Sequence, residues 1–148
     1  MAEPISYVDT SALLKWYVSE PGSDAVAAWI EEQPSLVFSR IGWLEFRCAV
    51  NRRRRARHLD DATADDVLGR FLADVAVGAF TLLPLNDEQA LAANDLIARL
   101  AAPLRTLDAL HLAAAIAHGA DSIATADHVL AVAAREMGLT VSLFGRSQ

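Results

Sequence analysis

Four of the nineteen acidic residues lie where a solvated surface side chain is not expected. Two of them, Asp9 and Asp127, each follow a short apolar segment that predicts a β-strand and each precede a segment with helical periodicity. Ligands of open α/β sheets bind at the carboxyl ends of the strands, so both carboxylates are candidates for chemistry. An aspartate is also a preferred helix N-cap, which leaves a second explanation open for either residue taken alone.

Asp108 lies in the first turn of a predicted helix, residues 106–118, that is apolar on nearly every side. The helix dipole favours an acid in the first turn by roughly 0.3–1 kcal/mol. Burial of an unpaired charge can cost several kcal/mol, so the dipole alone does not account for this carboxylate. A partner for Asp108 is therefore expected.

Glu45 lies inside another predicted helix, on the face that we expect to point inward. On a helical wheel it falls among three apolar neighbours, namely Ile41, Leu44 and Cys48. An ion pair with Arg40 or Arg105 is the alternative explanation for an inward glutamate. Cys48, the only cysteine, is expected to be a small buried apolar residue, and a single cysteine excludes an internal disulfide and a cysteine-based zinc site.

Convergence of these four acids would predict a metal site. Mutual repulsion would raise some of their pKa values and destabilise the fold unless cations fill the space between them. Mg²⁺ and Mn²⁺ prefer oxygen ligands and are held by few carboxylates alongside water and substrate phosphates. Such a site can activate water for in-line attack on a phosphodiester without a covalent enzyme intermediate.

Two other enzyme and signalling classes also carry an acid after the first strand. A phosphatase with an aspartyl nucleophile needs a second aspartate two positions later, where this chain has Ser11. A response-regulator receiver needs a lysine late in the chain, and the only lysine is Lys15. Neither class fits the sequence.

The elements that must position these acids alternate along the chain. Turn residues and apolar period predict five strands, at residues 5–9, 35–39, 80–83, 122–125 and 140–143. They also predict seven helices, at residues 11–19, 23–31, 41–57, 63–76, 87–101, 106–118 and 127–137. This alternation is typical of one α/β domain over residues 1–148, with a mostly parallel sheet covered by helices on both faces.

Composition and charge limit the number of domains, the compartment and the partners that we expect for the protein. A chain of 148 residues, 53% of them hydrophobic, can bury one core without disulfides. Its apolar runs fall far short of the roughly 18–20 residues that cross a bilayer, and its start does not resemble an export signal. We therefore expect a cytoplasmic protein with no membrane partner. The net charge of −6 argues against nucleic acid, but seven of the thirteen basic residues lie between positions 40 and 57.

The four acids occur in order within recognisable motifs. Asp9 begins the segment DTSAL, Glu45 lies in a later helix, Asp108 lies in TLDALHLA, and Asp127 ends the segment TAD. Together these motifs closely resemble the PIN domain and, more narrowly, the VapC-type toxins of bacterial toxin–antitoxin pairs. The resemblance covers essentially the whole chain, including its length and the order of its elements.

This resemblance implies a three-layer α/β/α sandwich and a ribonuclease that depends on Mg²⁺ or Mn²⁺. Asp9, Glu45, Asp108 and Asp127 match the acidic quartet of the family, which is both catalytic and metal-binding. Its hydroxyl-bearing neighbours are matched by Thr10, Ser11 and Thr125. The implied partners are an RNA substrate, a cognate VapB-type antitoxin whose tail often lies across the active site, and a second copy in a homodimer. The alternative is a PIN-like module that binds RNA or regulates without catalysis.

Two further features have more than one interpretation. The basic run could steer RNA phosphates, bind an acidic stretch of the antitoxin or merely solvate a helix end; its central members are Arg52, Arg53, Arg54 and Arg55. His111, three residues after Asp108, is expected to be a hydrogen-bonded core histidine rather than a metal ligand or a general base.

Overall fold

The computed structural model describes residues 2–145 and has the predicted α/β architecture. Its strands are β1 (Ser6–Val8), β2 (Leu36–Ser39), β3 (Thr81–Leu83), β4 (Ser122–Thr125) and β5 (Thr140–Leu143). Its helices are α1 (Thr10–Tyr17), α2 (Ser23–Glu31), α3 (Arg40–Arg55), α4 (Asp61–Ala76), α5 (Asp87–Arg99), α6 (Thr106–Ala117) and α7 (His128–Glu136). All twelve predicted elements are present, with ends within two residues of the prediction. Of the predicted domain, residues 1 and 146–148 lie outside the described part.

The five strands form one parallel sheet in the order β3-β2-β1-β4-β5. Successive strand residues point to opposite faces, so β1, β2, β3 and β4 each contribute to two cores. On one face, Val8, Phe38 and Ala124 pack with α1, α2, α3 and α4. On the other face, Tyr7 and Ile123 pack with α5, α6 and α7. The molecule is thus a three-layer α/β/α sandwich.

The strand order reverses between β1 and β4. These strands are parallel neighbours, with Tyr7 opposite Ile123 and Val8 opposite Ala124. The helix that follows β1 packs on one face of the sheet, whereas the helix that follows β4 packs on the other. Chains that leave a parallel sheet in opposite directions open a crevice at the carboxyl edge, the usual ligand position of this architecture.

Helix α3 buries a different face from the one predicted. Its buried residues are Gly42, Phe46, Ala49 and Val50. Cys48 is exposed and Leu44 is 62% exposed, so the predictions of a buried Cys48 and of an inward Leu44 were wrong. Glu45 itself does face inward, with a side chain that is 24% exposed. Contacts with α1 and α4 decide which face of a helix is covered, and periodicity within α3 does not contain that information.

Glycine is needed at position 42, where α3 passes closest to β2. A Cβ atom there would lie 2.4 Å from the Phe38 ring and 3.0 Å from Thr10 Oγ1. The close approach keeps Thr10 next to α3.

Within residues 2–145, the helices are all too short or too polar to cross a bilayer.

Candidate active site

A cavity of about 390 Å³ opens at the carboxyl edge of the sheet, between the ends of β1 and β4 and the helices α3 and α6. We call it the acidic cavity. Its polar lining comprises Asp9, Thr10, Ser11, Glu45, Arg105, Thr106, Asp108, His111 and Asp127. The structure thus brings together the four predicted acids and two of their three predicted hydroxyl neighbours. The third, Thr125, is fully buried at the end of β4.

Asp9 caps α1 and is almost fully buried. Its Oδ1 accepts hydrogen bonds from the backbone N–H of Ala12 (2.9 Å) and from the hydroxyl of Ser11 (2.7 Å). Its Oδ2 accepts one from Thr125 Oγ1 (2.6 Å). Burial raises the pKa of Asp9, and the charge interaction with His111 and these hydrogen bonds offset only part of that effect. A cation in the cavity would therefore favour the ionised carboxylate.

The hydroxyls of Ser11 and Thr125 tie the ends of β1 and β4 together. Ser11 Oγ accepts a hydrogen bond from the backbone N–H of Ala126 (2.9 Å). Thr125 Oγ1 accepts one from the backbone N–H of Asp127 (2.9 Å) while it donates to Asp9. Each hydroxyl is thus bonded on both sides, and the two acids that follow the strands are held in a fixed relation.

Glu45 pairs with neither Arg40 nor Arg105. Its Oε1 accepts hydrogen bonds from Thr10 Oγ1 (2.8 Å) and from His111 Nε2. Burial alone would raise the pKa of Glu45. The hydrogen bond from His111, the positive charge of that ring when protonated and the hydrogen bond from Thr10 outweigh burial and lower the pKa.

His111 is a buried core histidine, as predicted, and it also contacts the acidic cavity. An ionised carboxylate only accepts hydrogen bonds, so Nε2 carries the proton that bonds to Glu45. In the neutral ring, Nδ1 then accepts from the Tyr7 hydroxyl at 2.6 Å. The ring is fixed at both nitrogens and orients Glu45, a role that the sequence analysis missed. The signal was its spacing, because residues i and i+3 share a helix face and Asp108 was already a candidate.

Asp108 and Asp127 share one partner, Arg105. Asp127 caps α7 through Oδ1, which accepts from the backbone N–H groups of Val129 (2.8 Å) and Leu130 (3.0 Å). Its Oδ2 accepts from Arg105 Nη2 at 3.0 Å. Asp108 Oδ2 accepts from the backbone N–H of Arg105 (3.2 Å) and from its Nε (3.4 Å). Arg105 was predicted as a possible partner of Glu45, whereas in the structure it pairs with Asp108 and Asp127.

The donor set fits a hard divalent cation. Four carboxylates on four separate elements face one cavity, and oxygen is the ligand that Mg²⁺ and Mn²⁺ prefer. Among residues 2–145, no three acidic, histidine or cysteine side chains lie close enough to ligate one ion as they stand. Mg²⁺ commonly takes only one or two protein carboxylates and completes its shell with water, for which the cavity has space.

A larger groove of about 700 Å³ runs from the acidic cavity between α1 and α3. We call it the α1–α3 groove. It shares Thr10, Ser11, Glu45 and Leu107 with the acidic cavity. Further along it is lined by the exposed Leu44 and Cys48, and then by two of the predicted arginines, Arg52 and Arg53. The groove thus connects the basic end of α3 with the acids.

The four arginines separate around the end of α3. Arg53 Nη2 pairs with Glu20 at 3.2 Å, and Arg54 Nη2 pairs with Asp65 at 2.6 Å. Arg54 and Arg55 line a different cavity, beside the start of α4, rather than the α1–α3 groove. The basic run is therefore divided between two surfaces. Of the four arginines, Arg52 and Arg53 line the groove that leads to the acidic cavity, and Arg54 and Arg55 do not.

The fold agrees with the comparisons with known proteins. A family model described as the PIN domain matches residues 6–136. The chain belongs to the PIN domain family. Ribonuclease VapC47 of Mycobacterium tuberculosis (strain CDC 1551 / Oshkosh) is 32% identical to this PIN domain over 142 residues, which cover 92% of the chain and 94% of that protein.

Two solved structures share the architecture of this PIN domain. The crystal structure of VapC20 from Mycobacterium tuberculosis, a sarcin-ricin loop cleaving toxin, has a TM-score of 0.68 and 17% identity, and covers 86% of this chain and 94% of its own. A toxin-antitoxin complex from Klebsiella pneumoniae has a TM-score of 0.59 and 19% identity, and covers 82% of this chain and 86% of its own. At such low identities these likenesses show the fold.

Proposed function

We propose that this PIN domain is a VapC-type toxin: an endoribonuclease that depends on Mg²⁺ or Mn²⁺ and hydrolyses RNA phosphodiesters. The observation that carries the proposal is the convergence of Asp9, Glu45, Asp108 and Asp127 on one cavity at the point where the strand order reverses. The identity to a protein named as a ribonuclease, over nearly the full length of both chains, supports the same activity.

The residues around the acidic cavity are proposed to have two different roles, as metal ligands and as groups that position those ligands. Asp9, Glu45, Asp108 and Asp127 would hold the ion, and Ser11, Thr10 and Thr125 would orient the carboxylates through the hydrogen bonds described above. When bound, a divalent ion supplies a more acidic water and neutralises charge on the phosphoryl group. The acidic cavity offers no serine, cysteine or histidine poised as a covalent nucleophile among the described residues, because Ser11 and His111 are both engaged in structural hydrogen bonds.

The activity is tested by cleavage of total cellular RNA. The purified chain, freed of any co-purifying partner, is incubated with RNA in Mn²⁺ or Mg²⁺, beside an EDTA control and an Asp9→Asn control, and the ends of the fragments are mapped. Discrete cuts with a 5′-phosphate and a 3′-hydroxyl that vanish in both controls are expected. A 2′,3′-cyclic phosphate would contradict the mechanism, and RNA binding without cuts would favour a non-catalytic module.

The RNA path is proposed to follow the α1–α3 groove past Arg52 and Arg53. Their side chains lie at the far end of a groove that reaches the acids, whereas Arg54 and Arg55 line the cavity beside α4. The pair Arg52→Ser and Arg53→Ser should weaken cleavage and flatten its dependence on salt, since each lost phosphate contact reduces the slope. The pair Arg54→Ser and Arg55→Ser removes the same charge and is the matched control. Equal slopes for the two double variants would reject this path.

The antitoxin is proposed to occupy the same groove. Leu44 is 62% exposed and Leu107 is 42% exposed at its rim, which suits the apolar side of a bound peptide that ends near the acids. Expression of the toxin alone should arrest growth, and co-expression of a neighbouring antitoxin should relieve the arrest. Leu44→Asp should abolish co-purification of that antitoxin, whereas Leu91→Asp, at an exposed leucine outside the groove, should not. Normal growth of cells that make the active protein would contradict the toxin role.

A homodimer is also proposed, as is common among VapC-type toxins. The mass of the purified chain by light scattering should be twice 15.9 kDa. A monomeric mass at micromolar concentration would contradict this part of the proposal.

A further inference from the structure

Arg105 occupies a special place among the residues that line the acidic cavity. It is the N-cap residue of α6, and it is the one arginine or lysine in the lining, as far as the described residues go. Its side chain touches two members of the acidic quartet at once: Nε is 3.4 Å from Asp108 Oδ2, and Nη2 is 3.0 Å from Asp127 Oδ2. The two carboxylates belong to different elements, α6 and the turn that follows β4.

The contacts of Arg105 do not make it part of the core. The side chain is 75% exposed, whereas the Asp108 side chain that it contacts is 11% exposed. An arginine that packs on the body of a protein buries its aliphatic stem. At this exposure the Arg105 side chain buries little of its stem, so the guanidinium can leave both carboxylates without opening a cavity in the fold, while the backbone N–H of Arg105 stays on Asp108 Oδ2. Two facing acids, by contrast, need a cation, because like charges held together are unfavourable.

Arg105 contacts one oxygen of each of the two carboxylates, and in Asp127 it is the oxygen that a divalent ion would use. Asp127 Oδ1 is committed to the N-terminal amides of α7, so Oδ2 is the oxygen left to face the cavity. Arg105 holds this oxygen and also holds Asp108 Oδ2, through both its backbone and its side chain. The guanidinium and a metal ion are thus directed at the same two carboxylates, and the positive charge of Arg105 opposes the approach of a second cation.

We infer that Arg105 is an internal counter-cation that bridges Asp108 and Asp127 in the metal-free protein and must be displaced before a divalent ion binds. The inference rests on the metal site of the proposed function and adds competition between that metal and a residue of this chain. It explains how four carboxylates face one cavity without three of them meeting at a single point. The single positive charge of Arg105 is shared by the two carboxylates, which reduces their repulsion and holds them on either side of one guanidinium.

The test is a calorimetric titration of the metal-free full-length chain with Mn²⁺. Arg105→Gln removes the competing cation while it keeps a polar head group of similar reach. Arg105→Lys keeps the charge but replaces the planar fork with a point charge that cannot bridge two carboxylates in the same way. The matched control is Arg99→Gln, which removes one positive charge from an exposed ion pair with Asp95 on α5, outside the cavity lining. Circular dichroism confirms that each variant is folded.

Arg105→Gln should bind Mn²⁺ about three- to fivefold more tightly than the unaltered chain, the size expected for release of a partly exposed ion pair. Arg105→Lys should fall between the two, and Arg99→Gln should match the unaltered chain. In the absence of metal, Arg105→Gln should also melt at a lower temperature, because Asp108 and Asp127 then lack their cation. Addition of Mn²⁺ should raise the melting temperature of this variant by more than it raises that of the unaltered chain.

The outcomes separate the inference from the function on which it rests. Equal Mn²⁺ affinity in the Arg105→Gln variant would overturn the competition and leave the metal site intact. Weaker affinity would also overturn it, since Arg105 would then be a residue that helps to position the ligands. No Mn²⁺ binding by any of the proteins would overturn both the metal site and the inference. Binding by Arg105→Gln alone would be the strongest support for the bridge.

Discussion

The aromatic cluster beneath α3 and the acidic cavity beside it are built from neighbouring residues under opposite physical demands. Phe46 stacks on Phe71 with ring centroids 4.3 Å apart, in a cluster that also includes Tyr17, Phe38, Trp43 and Phe80. Glu45, the residue before Phe46, faces the cavity that holds three further carboxylates. One region gathers groups that attract each other in the absence of water, and the other gathers groups that repel.

The difference separates stability from function between two consecutive residues of α3. The aromatic cluster needs no ligand, because burial of apolar surface is favourable by itself. The acidic cavity keeps its charges in place with hydroxyls, a buried histidine and an arginine bridge. Such local conflict with the rules of folding is typical of functional sites. Variants in the aromatic cluster should therefore change the free energy of unfolding, and variants in the acidic cavity should change metal binding and the rate of cleavage.

The largest effect is expected from Phe71→Ala, in the aromatic cluster. Phe71 is 1% exposed and contacts five aromatic rings, so its removal leaves a large cavity. The free energy of unfolding in urea should fall by about 3–5 kcal/mol. The rate of RNA cleavage per folded molecule should stay near that of the unaltered chain. A loss below about 1 kcal/mol would show that the cluster is not a main source of stability.

Asp108→Asn should have the converse effect. The amide oxygen can still accept the hydrogen bond from the backbone of Arg105, so the fold should be retained. Loss of one ligand charge should abolish the Mn²⁺-dependent rise in melting temperature and reduce cleavage more than about 100-fold. The measurements are a thermal melt with and without Mn²⁺ and a single-turnover cleavage rate. Cleavage at the original rate would remove Asp108 from the catalytic set.

His111→Gln tests whether Glu45 must be held in place. A glutamine can hydrogen-bond within the same space but cannot reproduce the two fixed ring nitrogens that bond Glu45 and Tyr7. Loss of a residue that orients a metal ligand typically costs about 10–100-fold in activity. The expected signature is a lower kcat with an unchanged KM for RNA. Tyr7→Phe, which removes only the distant hydrogen bond, is the control and should lose less.

The smallest expected effect is a difference in pH dependence between Asp9 and Glu45. Burial raises the pKa of Asp9, so its ionisable group stabilises the fold most at low pH, and that contribution is lost as the pH rises through the raised pKa. The pKa of Glu45 is lowered because the contacts with His111 and Thr10 outweigh burial, so its contribution is present above the usual pKa and is lost on acidification.

Urea unfolding of the metal-free chain between about pH 3 and 7 measures this difference, since the range spans the ordinary pKa values of both acids. The advantage of the unaltered chain over Asp9→Asn should shrink with rising pH, and its advantage over Glu45→Gln should grow. Parallel pH profiles for the two variants would contradict the assigned environments.

Prediction from the sequence worked where the information is local. The strands that precede Asp9 and Asp127 follow from apolar period and turn residues, and the convergence of the two acids follows from the parallel sheet. The partner of Glu45 did not follow, because His111 lies 66 residues away and the contact depends on how α3 and α6 pack. The exposed Cys48 was missed for the same reason, since helical period shows that a helix has faces but not which one is covered.

The most direct measurement is an anomalous difference map from a crystal of the chain soaked in Mn²⁺. The four acids, which lie at the end of β1, on α3, on α6 and after β4, are proposed to act as one metal site. The predicted result is a peak in the acidic cavity, within ligand distance of oxygens from Asp9, Asp108 or Asp127, with the Arg105 side chain moved away. A cavity without a peak, or a peak ligated elsewhere on the chain while Arg105 keeps its bridge, would contradict that proposal.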